Sequence, residues 1–330
     1  MGLLINGVWD ADATMIPIQD GRFVREPAAF RGTVSADGAS GFKAEAGRYH
    51  LYVAYHCPWA WRTILFRRLK RLENVISMTI AIPNDRREGW IFGDYPGGCT
   101  RDAVNAYTHL HEAYSAARPH YSGTVSVPVL WDKATHTIVN NESSEIIRML
   151  NSAFDAFTDA REDYYPLELR ADIDTINQRV YEGVNNGVYR VGLARSQQAY
   201  DEAFDKLFAT LDSLDARLAT QRYLVGTRLT EADWRLLASL LRFDLVYHSL
   251  FKCNQRTIAS YPALSNYLRE LYQVPGVAET VNLAHFVRGY YSIIHVNPNG
   301  IIPRGPAFYE DWLREPHDRT HLRAASASAS

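Results

Sequence analysis

The chain has 330 residues, 47% apolar and 22% charged, an ordinary globular composition with length enough for two domains. Thirty-five Lys and Arg against 37 Asp and Glu leave a formal charge of −2, which argues against nucleic acid or an anionic membrane as partner. Three cysteines, Cys57, Cys99 and Cys253, are too few and too scattered for a disulfide framework, and 20 tyrosines stand beside 13 Phe and 7 Trp.

In chain order, Met1 to Asn6 has no basic region and too short an apolar run for a signal peptide. No stretch approaches the roughly 20 apolar residues of a membrane span, so a cytoplasmic protein is expected. Residues 1–45, rich in Gly, Asp and Ala, read as an irregular N-terminal extension. From Tyr49 to Ala54 a strand is expected, ending at Tyr55-His56-Cys57-Pro58. Trp61, Ile64, Leu65, Leu69 and Leu72 recur at helical spacing, and Ile76, Met78, Ile80 and Ile82 alternate as in a second strand. This is a βαβ unit. Val125 to Trp131 and Thr137 to Asn140 read as two further strands, and Glu142 to Ile147 opens a helix, which completes a thioredoxin-type order.

Past residue 160 the pattern is helical. Leu169, Ile173, Ile176, Val180, Val184 and Val188 form one apolar stripe, and Phe204, Leu207, Leu211, Leu214 and Leu218 another. The predicted fold class is therefore α/β plus all-α, with a thioredoxin-like domain over 46–153, a linker over 154–166, an all-helical domain over 167–292 and a C-terminal extension over 293–330. The Ala/Ser alternation from Ala324 to Ser330 is expected to be a frayed tail.

Cys57 falls where strand gives way to helix, with Pro58 as the natural first helical residue. A sulfur there faces unpaired N–H groups and the positive end of the helix dipole, which favour thiolate. The position three residues on is Ala60, so no resolving cysteine follows and an external thiol must complete any disulfide cycle. The competing reading is an inert buried cysteine. Cys99 and Cys253 lack this geometry and read as structural or surface thiols. Val127-Pro128 suits a cis proline beside the thiol, with the preceding residue offering backbone groups to a bound peptide; an edge-strand proline is the alternative. Glu142-Ser143 places a hydroxyl and free N–H groups where a carboxylate could be held, or else Ser143 is only an N-cap. Leu229-Thr230-Glu231-Ala232-Asp233-Trp234 is a capping box, with Thr230 as N-cap and Asp233 at N3. His56, whose side chain should point away from that of Cys57, and the run Arg67-Arg68-Leu69-Lys70-Arg71, read as a solvated helix end, are given no catalytic role.

Cys57-Pro58-Trp59-Ala60, with Trp61-Arg62-Thr63, resembles the active-site motif of the glutathionyl-hydroquinone reductases, the Xi class of glutathione transferases. The similarity continues through Val127 to Asp132, Asn141 to Arg148, Val184 to Tyr189, Leu229 to Asp233, Arg242-Phe243-Asp244 with Tyr247, Phe251-Lys252-Cys253 and Asn297 to Ile301, in order over most of the chain. The resemblance implies an enzyme that removes glutathione from S-glutathionyl-hydroquinones through a Cys57-glutathione disulfide. It implies Cys57 as the catalytic residue, Trp90, Val127, Glu142 and Ser143 as glutathione-binding residues, and Tyr189, Tyr247 and Tyr290 as hydroquinone-binding residues. It further implies glutathione as cosubstrate without a metal, small aromatic glutathione conjugates as substrates, and a homodimer. Some members carry a basic residue before Val125 where this chain has Thr124, so an anion contact is absent or supplied elsewhere. Two other functions compete: a thiol transferase, dehydroascorbate-type reductase or conjugating transferase of the same superfamily, and a non-catalytic binding module. A conjugating enzyme would activate glutathione with Tyr or Ser and leave Cys57 without a task.

Overall fold

In the N-terminal segment Asn6-Gly7 and Asp20-Gly21 each put two successive residues at positive φ, 52° and 81° in the first pair and 49° and 76° in the second. Two such residues make the tight turn that matches strand twist. They close the hairpins β1 (Leu3–Ile5) with β2 (Val8–Asp10) and β3 (Ile18–Gln19) with β4 (Arg22–Phe23). A parallel pair follows, β5 (Thr33–Ser35) with β6 (Gly41–Lys43). The segment expected to be irregular is therefore built of three short strand pairs, and its Asn-Gly and Asp-Gly dipeptides are the sequence signals for two of them. The structure, a computed structural model, describes residues 2–13, 16–84 and 87–322. The tail expected from 324 to 330 lies outside these.

The thioredoxin-like order follows: β7 (Tyr49–Val53), α1 (Pro58–Leu69), β8 (Ser77–Ile80), α2 (Leu110–Ala117), β9 (Val129–Asp132), β10 (Thr137–Asn140) and α3 (Ser143–Ser152). The sheet runs β10-β9-β7-β8, with β7 parallel to β8 and antiparallel to β9. Every residue of β7 and β9 is buried, as their central places in the sheet require. The strand expected from Val125 begins only at Val129, immediately after Pro128, which has no N–H to give a ladder.

All helices follow: α4 (Arg170–Val180), α5 (Gly187–Gly192), α6 (Gln197–Thr220), α7 (Glu231–Arg242), α8 (His248–Leu250), α9 (Pro262–Tyr272), α10 (Leu283–Tyr291) and α11 (Tyr309–Arg314). The stripe running from Ile173 to Val188 is not one helix, because a π-helical turn over Tyr181–Asn185 separates α4 from α5. A second π turn, Phe243–Tyr247, separates α7 from α8.

The chain divides into two units, each assembled from separate stretches. The first takes Met1–Pro17, Arg25–Glu162 and Glu279–Ile302; the second takes Ile18–Val24, Asp163–Ala278 and Pro303–Ser330. α10 thus belongs to the first unit. The Trp61 indole N–H donates to the Thr280 carbonyl at 2.9 Å just before it, and His285 lies 2.7 Å from the Pro96 carbonyl. In the second unit the capping box of α7 forms as the sequence predicts, with Trp234 buried behind it.

The basic run at the end of α1 is not simply solvated. Lys70 is only 1% exposed, donates to the Glu162 carbonyl at 2.9 Å and lies 3.1 Å from Asp155. Arg67 donates to the carbonyls of Ile76 and Glu73 at 2.6 and 2.9 Å. Carbonyls partly buried beside a helix end need donors, and these two cations supply them.

Candidate active site

The site grows from the end of β7. The chain turns through Ala54-Tyr55-His56 and enters α1 at Pro58, whose fixed φ and missing N–H suit the first helical position. Cys57 is the N-cap residue, with φ −76° and ψ 118°, and its side chain makes no capping hydrogen bond. The backbone is fixed instead by Cys57 N–H to the Ala54 carbonyl at 3.2 Å and Trp61 N–H to the Cys57 carbonyl at 2.9 Å. Cys57 Sγ lies 3.6 Å from the Val127 carbonyl, within thiol hydrogen-bond range, and the Val127-Pro128 peptide is cis. The residue is buried, 8% exposed.

Glu142 and Ser143 lie at the start of α3, which packs against α1. Ser143 is not the N-cap. Glu142 takes that place, its Oε1 accepting from the Ser144 N–H at 3.0 Å and hydroxyl at 2.8 Å, and Ser143 is the first helical residue. The buried Arg62, on α1, points a guanidinium N–H at Ser143 Oγ over 3.4 Å and lies 4.7 Å from the centre of the Trp59 ring. Arg25 lies over the same ring at 4.8 Å. Trp90 is buried, donates its indole N–H to the Val125 carbonyl at 3.0 Å and stacks on His56. Cys57, Trp90, Val127, Glu142, Ser143 and Tyr290 therefore all lie in the first unit. Tyr189 and Tyr247 lie in the second, their ring centres 6.1 Å apart, and Phe251 packs on both at 5.5 Å.

Arg62 is passed over by the sequence reading, although a cation inside the apolar stripe of Trp61, Ile64 and Leu65 is a visible signal for it. Arg25 sits in a segment without periodicity and leaves none. The other two thiols are buried: Cys99 is pushed up to about 11 by burial and Cys253 is pushed up by the same cause. Neither is a surface thiol. Among the described residues no cluster of three or more His, Cys, Asp or Glu is placed to hold a metal, and no helix is long and apolar enough to cross a membrane.

Residues 56–153 match the family model described as glutathione S-transferase, N-terminal domain, and residues 197–270 the one described as glutathione S-transferase, C-terminal domain. The chain belongs to the glutathione transferase family. This transferase is 49% identical to the glutathionyl-hydroquinone reductase YqjG of Escherichia coli, over 97% of its own length and 98% of the relative's. It is 50% identical to the glutathionyl-hydroquinone reductase PcpF of Sphingobium chlorophenolicum, over 93% and 97% of the two chains. Among solved structures it is similar to a Xi-class transferase from Natrialba magadii, with TM-score 0.90, 44% identity and 98% of each chain covered. The glutathione-bound structure of YqjG matches with TM-score 0.87 and 48% identity, over 96% of this transferase and 99% of that chain.

Proposed function

We propose that this transferase reduces S-glutathionyl-hydroquinones to hydroquinones at the expense of glutathione, with Cys57 as the nucleophile. The observation that carries the reading is a cysteine at the start of α1, beside the Val127 carbonyl, with no second cysteine in the turn that follows. The Cys57 thiolate attacks the glutathionyl sulfur; the sulfur–carbon bond breaks, the ring carbon takes up a proton, and Cys57 is left in a disulfide with glutathione. A second glutathione, as thiolate, attacks that disulfide, releasing glutathione disulfide and restoring Cys57. The net reaction consumes one conjugate and one glutathione and yields one hydroquinone and one glutathione disulfide. No resolving cysteine is required.

In this reading the Val127 backbone pairs with the glutathione peptide and Trp90 packs against it. The Ser143 hydroxyl and the N–H groups opening α3 hold a glutathione carboxylate, and the Glu142 carboxylate faces its ammonium. Arg62, reaching towards Ser143, supplies the positive charge that Thr124 cannot. Tyr189, Tyr247 and Tyr290 are assigned to the hydroquinone, a role that rests on the family resemblance. The protein acts as a cytoplasmic homodimer.

The deciding experiment is turnover of a glutathionyl-hydroquinone by the Cys57→Ala variant. Turnover should be lost while melting temperature and glutathione affinity stay near those of the wild type; undiminished turnover would overturn the thiolate mechanism.

A further inference from the structure

His56 adjoins the reactive cysteine in sequence, yet the mechanism above gives it no task. Its ring is fully buried and lies on the Trp90 indole, with centres 5.3 Å apart and planes inclined by 27°. The same side chain meets α10. A Cβ built on Gly289 would stand 2.7 Å from His56 Cβ and nearer still to the ring, so α10 reaches this depth only because position 289 has no side chain. Gly289 immediately precedes Tyr290. On its other side Trp90 holds the Val125 carbonyl at 3.0 Å, two residues before the carbonyl that faces Cys57 Sγ. One imidazole ring therefore sets three parts of the first unit against each other: Trp90, the Val125–Val127 segment and the helix carrying Tyr290.

We infer that His56 is a positioning residue for the glutathione half of the reaction, its ring wedged between Gly289 and Trp90 so that Trp90 and the Val127 backbone are held where glutathione docks beside Cys57. The inference rests on the proposed glutathione site. A residue that only filled space would affect stability without distinguishing glutathione chemistry from the rest of turnover. The ring's contact with Trp90 makes glutathione handling the sensitive quantity.

The test uses a reaction that involves glutathione and Cys57 alone. Glutathione disulfide is mixed with the full chain, and formation of the Cys57-glutathione disulfide, with release of one glutathione, is followed by intact mass. His56→Ala should slow this step about tenfold and raise KM for glutathione in turnover more than it lowers kcat. His56→Phe, which keeps a flat ring over Trp90, should stay within about threefold of the wild type. Gly289→Ala should reproduce the loss in the wild-type background and add less than its full effect in the His56→Ala background, since the ring it displaces is gone there and only the Cβ–Cβ approach of 2.7 Å remains. Folding of each variant is read by circular dichroism and thermal melting. Folded His56→Ala protein that thiolates at the wild-type rate would overturn the inference, as would strictly additive effects of the two substitutions. If the wild-type Cys57 itself forms no disulfide with glutathione, the proposed function fails first.

Discussion

Asp233 holds the start of α7 together, and its removal is expected to cost the fold heavily. The side chain has no exposure and four donors converge on it. Oδ2 accepts from the Thr230 N–H at 2.9 Å and its hydroxyl at 3.0 Å; Oδ1 accepts from the Leu224 N–H at 2.8 Å and the Tyr267 hydroxyl at 2.7 Å. Burial pushes the carboxyl up, and these donors oppose that shift. In Asp233→Ala the Thr230 hydroxyl can turn elsewhere, but the two N–H groups and the phenol remain buried without an acceptor. A buried unsatisfied donor costs about 1–3 kcal/mol, and three that share one site come to about 4 kcal/mol, below the sum of the separate penalties. For a cooperative unit of this size that is a fall in Tm of roughly 8–16 °C. Asp233→Asn keeps one carbonyl oxygen and should lose about half as much. Urea titration followed by circular dichroism measures both, with the slope m unchanged if only the native state is affected. A loss below about 1 kcal/mol for Asp233→Ala would refute the assignment of this carboxylate as the acceptor on which the capping box depends.

Three other outcomes are expected, the first and last from the family resemblance and the second from the structure. Tyr189→Phe, Tyr247→Phe and Tyr290→Phe should each lower hydroquinone-releasing turnover, about a hundredfold for whichever supplies the ring proton, and leave thiolation of Cys57 by glutathione disulfide unchanged; equal kinetics in all three would return these residues to packing. His50, buried between the Ser77 and Thr79 hydroxyls at 2.8 and 3.0 Å, is lowered by desolvation from 6.5 to about 4. Between those values the unfolded chain binds the proton and the folded chain does not, so stability is full above pH 6.5 and falls by about 3 kcal/mol as the pH drops towards 4. His50→Asn should flatten that limb of the stability–pH curve, and an unchanged limb would count against it. Light scattering should report twice the chain mass of 37.4 kDa, and a single-chain mass would refute the homodimer that the family resemblance implies.

The thiol site was legible because its parts are local. Cys57, Pro58 and the Val127-Pro128 pair carry their meaning in adjacent residues, and the helix that starts at Thr230 announces itself within four positions. The hairpins of the N-terminal segment had signals as local, Asn6-Gly7 and Asp20-Gly21, but their strands are two or three residues long and show no alternation to draw attention. What sequence could not show is long-range. Nothing near Gly289 tells that its missing Cβ admits His56, 233 positions earlier, or that Lys70 will meet the Glu162 carbonyl; such contacts are set by packing between elements whose own patterns are complete without them. The π turns at Tyr181–Asn185 and Phe243–Tyr247 are hidden for a related reason, since one extra residue in a helix leaves its apolar stripe nearly intact.

The abundance of tyrosine has a structural answer that also constrains the chemistry. Tyr52, Tyr165, Tyr223, Tyr261 and Tyr267 donate their hydroxyls to Asp102, Asp174, Glu270, Asp212 and Asp233 at 2.7–3.1 Å. Tyr49, Tyr114, Tyr121 and Tyr200 donate theirs to backbone carbonyls at 2.6–2.9 Å. A phenol fills core volume and brings a donor to an acceptor in one side chain, which suits a fold that buries Asp102, Glu270 and Asp233. Those phenols are poor acids for the reaction. Burial raises Tyr52, Tyr223, Tyr261 and Tyr267, a neighbouring carboxylate raises them further, and giving up the proton would leave two adjacent anions. The proton the hydroquinone ring takes up must come from a hydroxyl not committed to a carboxylate, or from solvent. The family resemblance assigns Tyr189, Tyr247 and Tyr290 to the hydroquinone, and if one of them supplies the proton the reaction should revert, slowly, to solvent when that hydroxyl is removed.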